Sequence, residues 1–339
     1  MASGMKISIG VVGGGSWGTA LSKHLAEKGH DIAFWVREDE VRESIERDRE
    51  NVLYLPGITL PPNIFPTTTL SDAVRDKDLV VFSVPSQFVR GVLEKGAAGI
   101  GGNTVLVNTS KGIELNTGKL ISQVFSEVLS AGVSSRFAAL SGPSFALEVA
   151  ERKPTAVSLA SESIETARFA QGVFSNQYFR AYAAQDVVGV EIGGAMKNVI
   201  AIAAGIVDGL GLGHNSKAAL ITRGLAETAR LGVKMGADPM TFAGLAGVGD
   251  LVLTCTGGLS RNRKVGVEIG KGRGLEDILS EMRMVAEGVK TSLAALDLSK
   301  SVGVEIPITE QVVSVLYDGK SPQKAIFDLM TRELRREMD

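Results

Sequence analysis

The pattern of apolar and polar positions changes about halfway along the chain. In the first half, short apolar runs such as "ISIGVV", "DIAFWV", "DLVVFSVP" and "NTVLVN" alternate with helical patterns such as "TALSKHLAEKG". The runs in "RFAALSGPSFA" and "PTAVSLA" continue this alternation. Continuous apolar runs between helices are typical of strands buried on both faces of a parallel sheet. The first half therefore predicts an α/β domain with a doubly wound sheet.

From about residue 186 the strand signals stop, and helical patterns follow one another as far as "PITEQVVSVLYDG". Asp238-Pro239 and Ser321-Pro322 each place an N-cap residue before a first-turn proline. We therefore expect two closely packed domains, an α/β domain over residues 1–188 and an all-α domain over residues 189–339. Helix ends are predicted at four glycines: Gly232, Gly236, Gly303 and Gly319.

The first predicted strand runs into a glycine loop, "GGGSWG", which opens a helix. The loop fits the GxGxxG pattern on Gly13, Gly15 and Gly18, inside a strand–loop–helix–strand unit of about thirty residues. Such a loop makes a tight turn, lets a pyrophosphate approach the backbone and packs the helix on the strand. The helix N-terminus adds N–H groups and a positive dipole end. We predict a Rossmann-type dinucleotide site.

The residues after the second predicted strand, "FWVRE", bear on the choice of dinucleotide. Sites specific for NAD usually place Asp or Glu there, on the ribose 2′-hydroxyl. Here Arg37 is the first residue beyond the strand, and a guanidinium suits a 2′-phosphate. We expect NADPH to be used at least as well as NADH. Glu38 leaves the alternative open, because its carboxylate could serve the hydroxyl instead.

Composition excludes several classes of protein. The chain has 339 residues and a net charge of −2, from 36 basic and 38 acidic residues, which gives no support to nucleic-acid binding. The one cysteine, Cys255, excludes an internal disulfide and a CxxC site. The longest apolar run, "VIAIAAGIV", is far shorter than the ~18 residues of a membrane span. The N-terminal apolar stretch lacks a cleavage site, so we expect a cytoplasmic protein without membrane insertion.

Three loops follow predicted strands of the first half. Ligands of open parallel sheets lie outside the carboxyl ends of the strands. We therefore expect residues 83–87, 108–112 and 141–146 to line one crevice. Lys111 follows "NTS" at such a strand end, where it either faces a ligand or is a solvated loop lysine.

The stretch "EIGGAMKNVIAIAAG" places Lys197 on an apolar helix. Its helical neighbours are Gly193, Gly194, Ile200 and Ala201, and none of them can neutralise a charge. A lysine in this setting can extend its ammonium into water. However, glycine inside a helix costs roughly 1 kcal/mol relative to alanine, so two in a row indicate a close approach to the backbone. A ligand beside Lys197 would fit.

The segment "GVGDLVLTCTGGLSRNRKVG", residues 247–266, contains a second unusual arrangement. Asp250 follows two glycines, and Ser260 is a predicted N-cap followed by basic residues. Basic residues in a first turn oppose the helix dipole. A bound phosphate would relieve this conflict through the helix N–H groups and Arg261. A basic surface turn is the alternative.

Taken together, the chain resembles the bacterial-type NAD(P)-dependent glycerol-3-phosphate dehydrogenases over nearly its whole length. The motifs occur in the order "GGGSWGTAL", "NVLYLP", "NTSKGIE", "SGPSFA", "GGAMKNVIAIAAGI", "TRGLAE", "AGVGDLVLTC", "SRNRKVG" and "VAEGVKT". The resemblance implies an oxidoreductase that interconverts dihydroxyacetone phosphate and sn-glycerol 3-phosphate for phospholipid synthesis. It also implies a 6-phosphogluconate-dehydrogenase-like fold and a homodimer.

The resemblance assigns roles to individual residues. Lys197 becomes the catalytic acid and base at the substrate oxygen, so no metal is needed. The substrate side is Lys111, Gly142, Ser144, Lys197, Asp250, Ser260, Arg261 and Asn262. The cofactor side is Gly13, Gly15, Ser16, Trp17, Gly18, Arg37, Tyr54, Lys111, Ala146, Arg261, Val285 and Glu287.

Two other functions remain open on the sequence. One is an NADP-dependent dehydrogenase of the same architecture that acts on a β-hydroxy acid. The "SRN" cluster speaks against it, because a carboxylate substrate needs no phosphate site. The other is a non-catalytic NADP-binding protein, which would keep the glycine loop but would not need Lys197 or Asp250.

Overall fold

In the computed structural model, which describes residues 6–282, 284–334 and 336–337, a mixed sheet is followed by a helical half. The strands are β1 (Ser8–Val12), β2 (Asp31–Trp35), β3 (Glu50–Asn51), β4 (Leu55–Thr59), β5 (Ile64–Thr67), β6 (Leu79–Phe82), β7 (Val105–Asn108), β8 (Phe137–Ser141), β9 (Thr155–Ala160) and β10 (Phe179–Ala184). The outer ends of the two predicted domains, residues 1–5 and 338–339, lie outside the described residues.

Helices flank the sheet in the first half and form nearly all of the second half. Those of the first half are α1 (Ser16–Glu27), α2 (Asp39–Asp48), α3 (Leu70–Val74), α4 (Val89–Gly96), α5 (Ile121–Val128), α6 (Ala131–Ser134), α7 (Ala146–Ala150) and α8 (Ile164–Phe174). The rest are α9 (Val187–Gly209), α10 (Gly213–Lys234), α11 (Pro239–Phe242), α12 (Asp250–Thr256), α13 (Arg261–Gly270), α14 (Leu275–Ser280), α15 (Glu287–Val302), α16 (Pro307–Tyr317) and α17 (Pro322–Met330).

Eight strands form one sheet in the order β10-β9-β8-β7-β6-β1-β2-β5. The central strands β6, β7 and β8 are buried at every position, with one apolar cluster on each face of the sheet. This confirms the predicted doubly wound α/β domain. The expectation of an all-parallel sheet is wrong at one pairing, because β8 and β9 are antiparallel. Their connection contains only the short helix α7, which packs on α1 instead of crossing the sheet.

The helical half is built around α9, which packs against α10, α12, α13 and α15. Glycines let α9 and α13 meet at their backbones, since a Cβ on Gly205 would overlap Arg263 O and one on Gly266 would overlap Ile202 O. Helix α9 also packs against β8 and β9. The last strand ends at Ala184 and α9 begins at Val187, so the connection between the two halves is short. Because α9 packs on the sheet, the two halves are in direct contact.

The predicted helix caps are mostly confirmed. Asp238 and Ser321 each accept a backbone hydrogen bond at the start of a helix. Three of the predicted end glycines follow helices with positive φ, namely Gly236, Gly303 and Gly319. Gly232 is a wrong prediction, because it lies inside α10. A Cβ there would overlap the ring of Phe242, so this glycine serves packing and not helix termination.

Two stretches, Val187–Gly209 and Pro239–Thr256, are apolar and long enough to span a membrane by length and composition alone. The first is 89% buried inside the fold, as expected for a core helix. The second is interrupted after Phe242 and contains two short helices joined by a π-helical turn, Leu245–Gly249. Packing inside the protein accounts for the first, and the second is no continuous helix.

Candidate active site

A cavity of about 740 Å³ opens at the carboxyl ends of β1, β2, β6 and β7. Two of the three predicted loops line it, with residues 83–85 and 87 from one and residues 109–110 from the other. The helical half closes it with Arg261, Met284, Val285 and Glu287. Residues 141–146 lie outside this lining, although Gly142 O accepts a hydrogen bond from Lys111 Nζ at 3.1 Å. The volume is in the range of roughly 300–1,000 Å³ typical of ligand sites.

The glycine loop forms the base of the cavity. Gly13 has φ +122, and a Cβ on it would lie 2.5 Å from Ser83 O, while a Cβ on Gly18 would overlap Gly13 O. These two glycines therefore close the turn and pack helix α1 on the strand. Gly15 differs, because none of the residues that the structure describes has an atom within 4 Å of its Cβ position. It faces open cavity space at the N-terminus of α1, as an approaching pyrophosphate requires.

Three further cofactor candidates lie around the glycine loop. Ser16 Oγ donates to Tyr54 O at 2.6 Å, which places the residue pair together on the cavity wall. Trp17 also lines the cavity, and its Nε1 is buried without a hydrogen-bond partner among the described residues. Ala146, at the start of α7, packs in the same small apolar cluster as Trp17.

Arg37 and Glu38 form an ion pair at the far end of the cavity. Arg37 Nη2 lies 2.7 Å from Glu38 Oε1, and Tyr54 Oη donates to the same oxygen at 3.3 Å. The Arg37 side chain is 74% exposed, and all three residues line the cavity. Arg37 and Glu38, the two candidates for contacting the ribose 2′ position, are therefore adjacent and form an ion pair with each other.

A buried cluster of charge lies between the sheet and the helical half. Asp250 accepts from Lys111 Nζ on Oδ2 at 2.7 Å and from Lys197 Nζ on Oδ1 at 2.8 Å. Lys197 Nζ also donates to Thr254 Oγ1 at 2.9 Å. The ammonium that has no partner on its own helix is therefore neutralised by a carboxylate from α12.

The glycines beside Lys197 have a different role from the one expected. A Cβ on Gly193 would overlap Ala246 O, and one on Gly194 would lie 2.7 Å from Ser141 Oγ. The close approach to α9 at these two glycines is thus made by the protein itself, and the expectation of a ligand beside Lys197 stays a prediction. The absence of a side chain at Gly193 lets the Leu245–Gly249 turn bring Asp250 up to Lys197, and its absence at Gly194 makes room for Ser141 and Lys111.

Burial and charge act in opposite directions on the groups of this cluster. Burial alone would raise the pKa of the Asp250 carboxyl, but the two ammonium groups outweigh it and hold that pKa below its ordinary value. Burial lowers the pKa of Lys111 to about 8, against the attraction of Asp250 and with the repulsion of Lys197. The cluster therefore holds two lysines on one buried carboxylate.

A chain of amides connects this cluster to α13 and α15. Asn198 Nδ2 donates to Lys111 O at 3.1 Å, and Asn262 Nδ2 donates to Asn198 Oδ1 at 2.8 Å. Asn262 Oδ1 in turn accepts from Gly288 N at 2.9 Å. The sequence patterns did not single out Asn198 or Thr254. A polar residue next to Lys197 in an otherwise apolar helix is the signal that could have identified Asn198.

The N-terminus of α13 has the predicted cap, since Ser260 Oγ accepts from Arg263 N at 3.2 Å. Arg263 is turned away from the site, with its guanidinium 2.7 Å from Asp208. Arg261 lines the cavity and donates to Val285 O at 2.9 Å. Of the basic residues in the first turn, Arg261 therefore faces the site.

Two candidates remain to be placed, one on each side of the site. Glu287 lines the cavity and accepts from Ser86 N at 3.0 Å, and burial raises the pKa of its carboxyl. Ser144 Oγ donates to Gly142 O at 2.9 Å, the same oxygen that Lys111 contacts. Within the described ranges, no group of three or more His, Cys, Asp or Glu side chains could hold a metal ion.

A dinucleotide cavity at the ends of parallel strands, next to a buried lysine–carboxylate cluster, defines a nicotinamide-dependent dehydrogenase. Residues 8–167 and 186–327 match the N-terminal and C-terminal models of NAD-dependent glycerol-3-phosphate dehydrogenase. The chain belongs to this family.

Known proteins of the same family are similar in sequence and structure over nearly the whole chain. The chain is 54% identical to a glycerol-3-phosphate dehydrogenase [NAD(P)+] of Citrifermentans bemidjiense over 333 residues, 98% of this chain and 99% of the relative. It is 55% identical to the enzyme of the same name from Geobacter metallireducens, covering 97% and 98%. The crystal structure of glycerol-3-phosphate dehydrogenase from Coxiella burnetii superposes with a TM-score of 0.92 at 36% identity, covering 96% of this chain and 99% of that one.

Proposed function

We propose that the protein reversibly reduces dihydroxyacetone phosphate to sn-glycerol 3-phosphate with NADPH or NADH, and so supplies a precursor of glycerophospholipids. The observation that carries this proposal is the Lys197–Asp250–Lys111 cluster beside the dinucleotide cavity, in a chain of this family. A non-catalytic nucleotide-binding protein would have no use for two lysines on a buried carboxylate.

The cavity residues fit a dinucleotide. Gly15 leaves space for the pyrophosphate, Trp17 lines the wall beside it, and Arg37 and Tyr54 would stand at the ribose end. When bound, the nicotinamide supplies the hydride that reduces the ketone carbon.

Lys197 acts at the ketone oxygen. Reduction turns this oxygen into an alkoxide, and an ammonium next to it stabilises the negative charge and donates the proton. In the reverse direction the neutral amine accepts the proton of the alcohol. Asp250 and Thr254 hold Lys197 Nζ in position, so that the charge is already oriented before the reaction. Lys111 supplies a second positive charge on the same carboxylate.

The phosphate of the substrate would be held at the start of α13. The helix N-terminus and the Arg261 guanidinium suit a dianion, with Asn262 fixed between Asn198 and Gly288. Gly142 and Ser144 would complete the site near Lys111. This phosphate site separates the proposal from a dehydrogenase of β-hydroxy acids.

We further propose that NADPH is favoured over NADH through Arg37, and that the protein is a cytoplasmic homodimer. The buried free thiol of Cys255 is compatible with a reducing compartment. Light scattering of the purified protein measures the oligomeric state directly, and a monomer would contradict the dimer.

The test of the reaction is the loss of NADPH absorbance on adding dihydroxyacetone phosphate, repeated with NADH and with dihydroxyacetone. We expect rapid oxidation only with the phosphorylated ketone. If protein that binds NADPH oxidises it with neither ketone, the substrate assignment is wrong. Oxidation of NADPH on adding a 3-keto acid would then favour the β-hydroxy-acid enzyme.

A further inference from the structure

Helix α4 forms one wall of the dinucleotide cavity, and none of the site residues assigned above lies on it. Phe88, Gly91, Val92 and Lys95 line the cavity from this side. Residues three, four and seven positions apart share one face of a helix. Gly91 and Lys95 therefore share one face of α4, and Phe88, the N-cap residue, stands three positions before Gly91; we call these three residues the α4 stripe.

Gly91 is the position where the α4 stripe leaves room. Glycine inside a helix costs roughly 1 kcal/mol relative to alanine, so its presence needs a reason. At Gly193 and Gly232 the reason is packing, because protein atoms occupy the Cβ position. At Gly91 no atom of the described residues lies within 4 Å of that position, and Gly91 lines the cavity. A ligand is the occupant that would need this space.

The flank of this space suits a nucleoside. The ring of Phe88 precedes α4 at the cavity wall, and the residue is 54% exposed. Aromatic side chains next to open space are the usual platforms for a stacked base. Trp35 and Leu70 line the cavity nearby and pack in the same apolar cluster as Val92. These residues therefore form an apolar surface next to α4 that could bind the adenosine half of a dinucleotide.

Lys95 differs from the other described basic side chains of the cavity wall in its lack of a hydrogen-bond or ion-pair partner. Of the residues that the structure describes, three basic side chains line the cavity wall, namely Arg37, Lys95 and Arg261. Arg37 is paired with Glu38 at 2.7 Å, and Arg261 donates to Val285 O at 2.9 Å. Lys95 is exposed and makes no ion pair or hydrogen bond with any residue that the structure describes. A phosphate monoester carries about −1.5 to −2 charges at neutral pH, more than one guanidinium already paired with a carboxylate can balance.

We propose that Lys95 is a second cation for the 2′-phosphate of NADPH, with the adenosine lying along the α4 stripe. This rests on the proposed use of NADPH. Arg37 reaches the phosphate from the β2 side and Lys95 from the α4 side, and Glu38 opposes both. Discrimination between NADPH and NADH is then a property of three charges and not of Arg37 alone.

The test uses nucleotide fragments and needs no turnover. 2′,5′-ADP carries the 2′-phosphate and 5′-AMP lacks it, and binding of either is followed by calorimetry or by the fluorescence of Trp17 and Trp35 in the cavity wall. Lys95→Met is expected to weaken 2′,5′-ADP about tenfold, the value of one charge-assisted hydrogen bond, and to change 5′-AMP less than about twofold. Lys95→Arg should restore binding of 2′,5′-ADP.

Two more variants separate local from general effects. Lys300→Met removes an equal charge in the last turn of α15, away from the cavity lining, and is expected to bind both fragments like the wild type. Gly91→Leu fills the open space and is expected to weaken both fragments. Unchanged 2′,5′-ADP binding in Lys95→Met, or an equal loss of both fragments, would overturn the role of Lys95. If Gly91→Leu bound both fragments like the wild type, the proposed position of the adenosine against α4 would be wrong.

These titrations contain no ketone, so their outcome is independent of the reaction. If the wild type oxidises NADPH with dihydroxyacetone phosphate but Lys95→Met binds 2′,5′-ADP normally, the inference fails and the proposed function stands. If the wild type binds 2′,5′-ADP through Lys95 but reduces no ketone, the proposed substrate fails and the nucleotide site stands.

Discussion

The two ends of the site hold their charges in opposite ways. At the substrate end, the side chains of Asp250, Lys197 and Lys111 are 1%, 10% and 13% exposed. At the nucleotide end, Arg37 and Glu38 are 74% and 27% exposed. Charges in a buried environment interact several times more strongly than charges in water, and a buried ion that loses its partner is strongly destabilising. A pair at the surface is worth at most about 1 kcal/mol.

The difference matches two chemical tasks. Stabilising an alkoxide requires a charge that is already oriented, because reorientation during the reaction would consume the benefit. Asp250 provides this by holding two ammonium groups in fixed positions. The proposed recognition of a 2′-phosphate requires the reverse, since Arg37 would have to exchange Glu38 for the ligand. An exposed pair permits this exchange at little cost.

The largest expected effect is the loss of the Lys197 ammonium, which we propose to be catalytic. Lys197→Met keeps most of the apolar stem but removes the group that would stabilise the alkoxide. We expect kcat to fall about 10²- to 10³-fold, as it does for the loss of a single oxyanion donor. Steady-state kinetics with dihydroxyacetone phosphate measure this, and titration with NADPH is the control for an intact nucleotide end. A kcat near that of the wild type would refute the role of Lys197.

The second prediction concerns stability and compares the two ends directly. Asp250→Asn leaves two buried ammonium groups without their carboxylate, so we expect the free energy of unfolding to fall by about 3–5 kcal/mol. Glu38→Gln breaks the exposed pair and is expected to cost about 1 kcal/mol or less. Urea denaturation of both variants gives the two values. Equal losses would mean that burial does not distinguish the two ends.

Much of the fold could be predicted from the apolar pattern, because buried strands and helices need apolar residues at their buried positions. The fully buried strands β6, β7 and β8 appear as continuous apolar runs, and α9 appears as a long apolar helix. The edge strands β5 and β10 escaped prediction, since half of their residues face outward and their sequences carry little apolar signal. The antiparallel direction of β9 was also missed, because apolar runs do not encode strand direction.

The candidate site was predictable only where the local sequence carries a signal. Lys197 is a charged residue on an apolar helix, and Gly15 belongs to the GxGxxG pattern. The ion pair between Lys197 and Asp250 joins residues 53 positions apart, and no local pattern reports it. Asn198 and Thr254 act through hydrogen bonds to the cluster and have no pattern of their own. Lys95 resembles any surface lysine until the cavity beside α4 is known.

The third prediction tests the exchange at the nucleotide end. Arg37→Ala removes one cation of the 2′-phosphate site, so kcat/KM for NADPH should fall about tenfold while that for NADH changes little. Glu38→Gln removes the competing carboxylate and should move the ratio the other way, toward NADPH. The measurement is kcat/KM for both cofactors at one ionic strength, because salt screens exposed charges. A ratio that neither variant alters would place the discrimination elsewhere on the cavity wall.

The smallest expected effect is a pH dependence confined to the buried end. Burial lowers the pKa of Lys111 to about 8, so its positive charge is complete well below pH 8 and is lost as the pH rises through that value. A lysine with its ordinary pKa, 10.5, would keep its charge over the same range. If Lys111 attracts the phosphorylated substrate, KM for dihydroxyacetone phosphate should rise severalfold, at most about tenfold per pH unit, between pH 7.5 and about 9. The dissociation constant of NADPH, measured in the same buffers, should change less, because Lys111 lies outside the cavity lining and Arg37 is exposed. A KM that does not change up to pH 9 would show that Lys111 either keeps its proton or does not attract the substrate. Equal changes in KM and in the dissociation constant of NADPH would show that the two ends do not differ in their pH dependence.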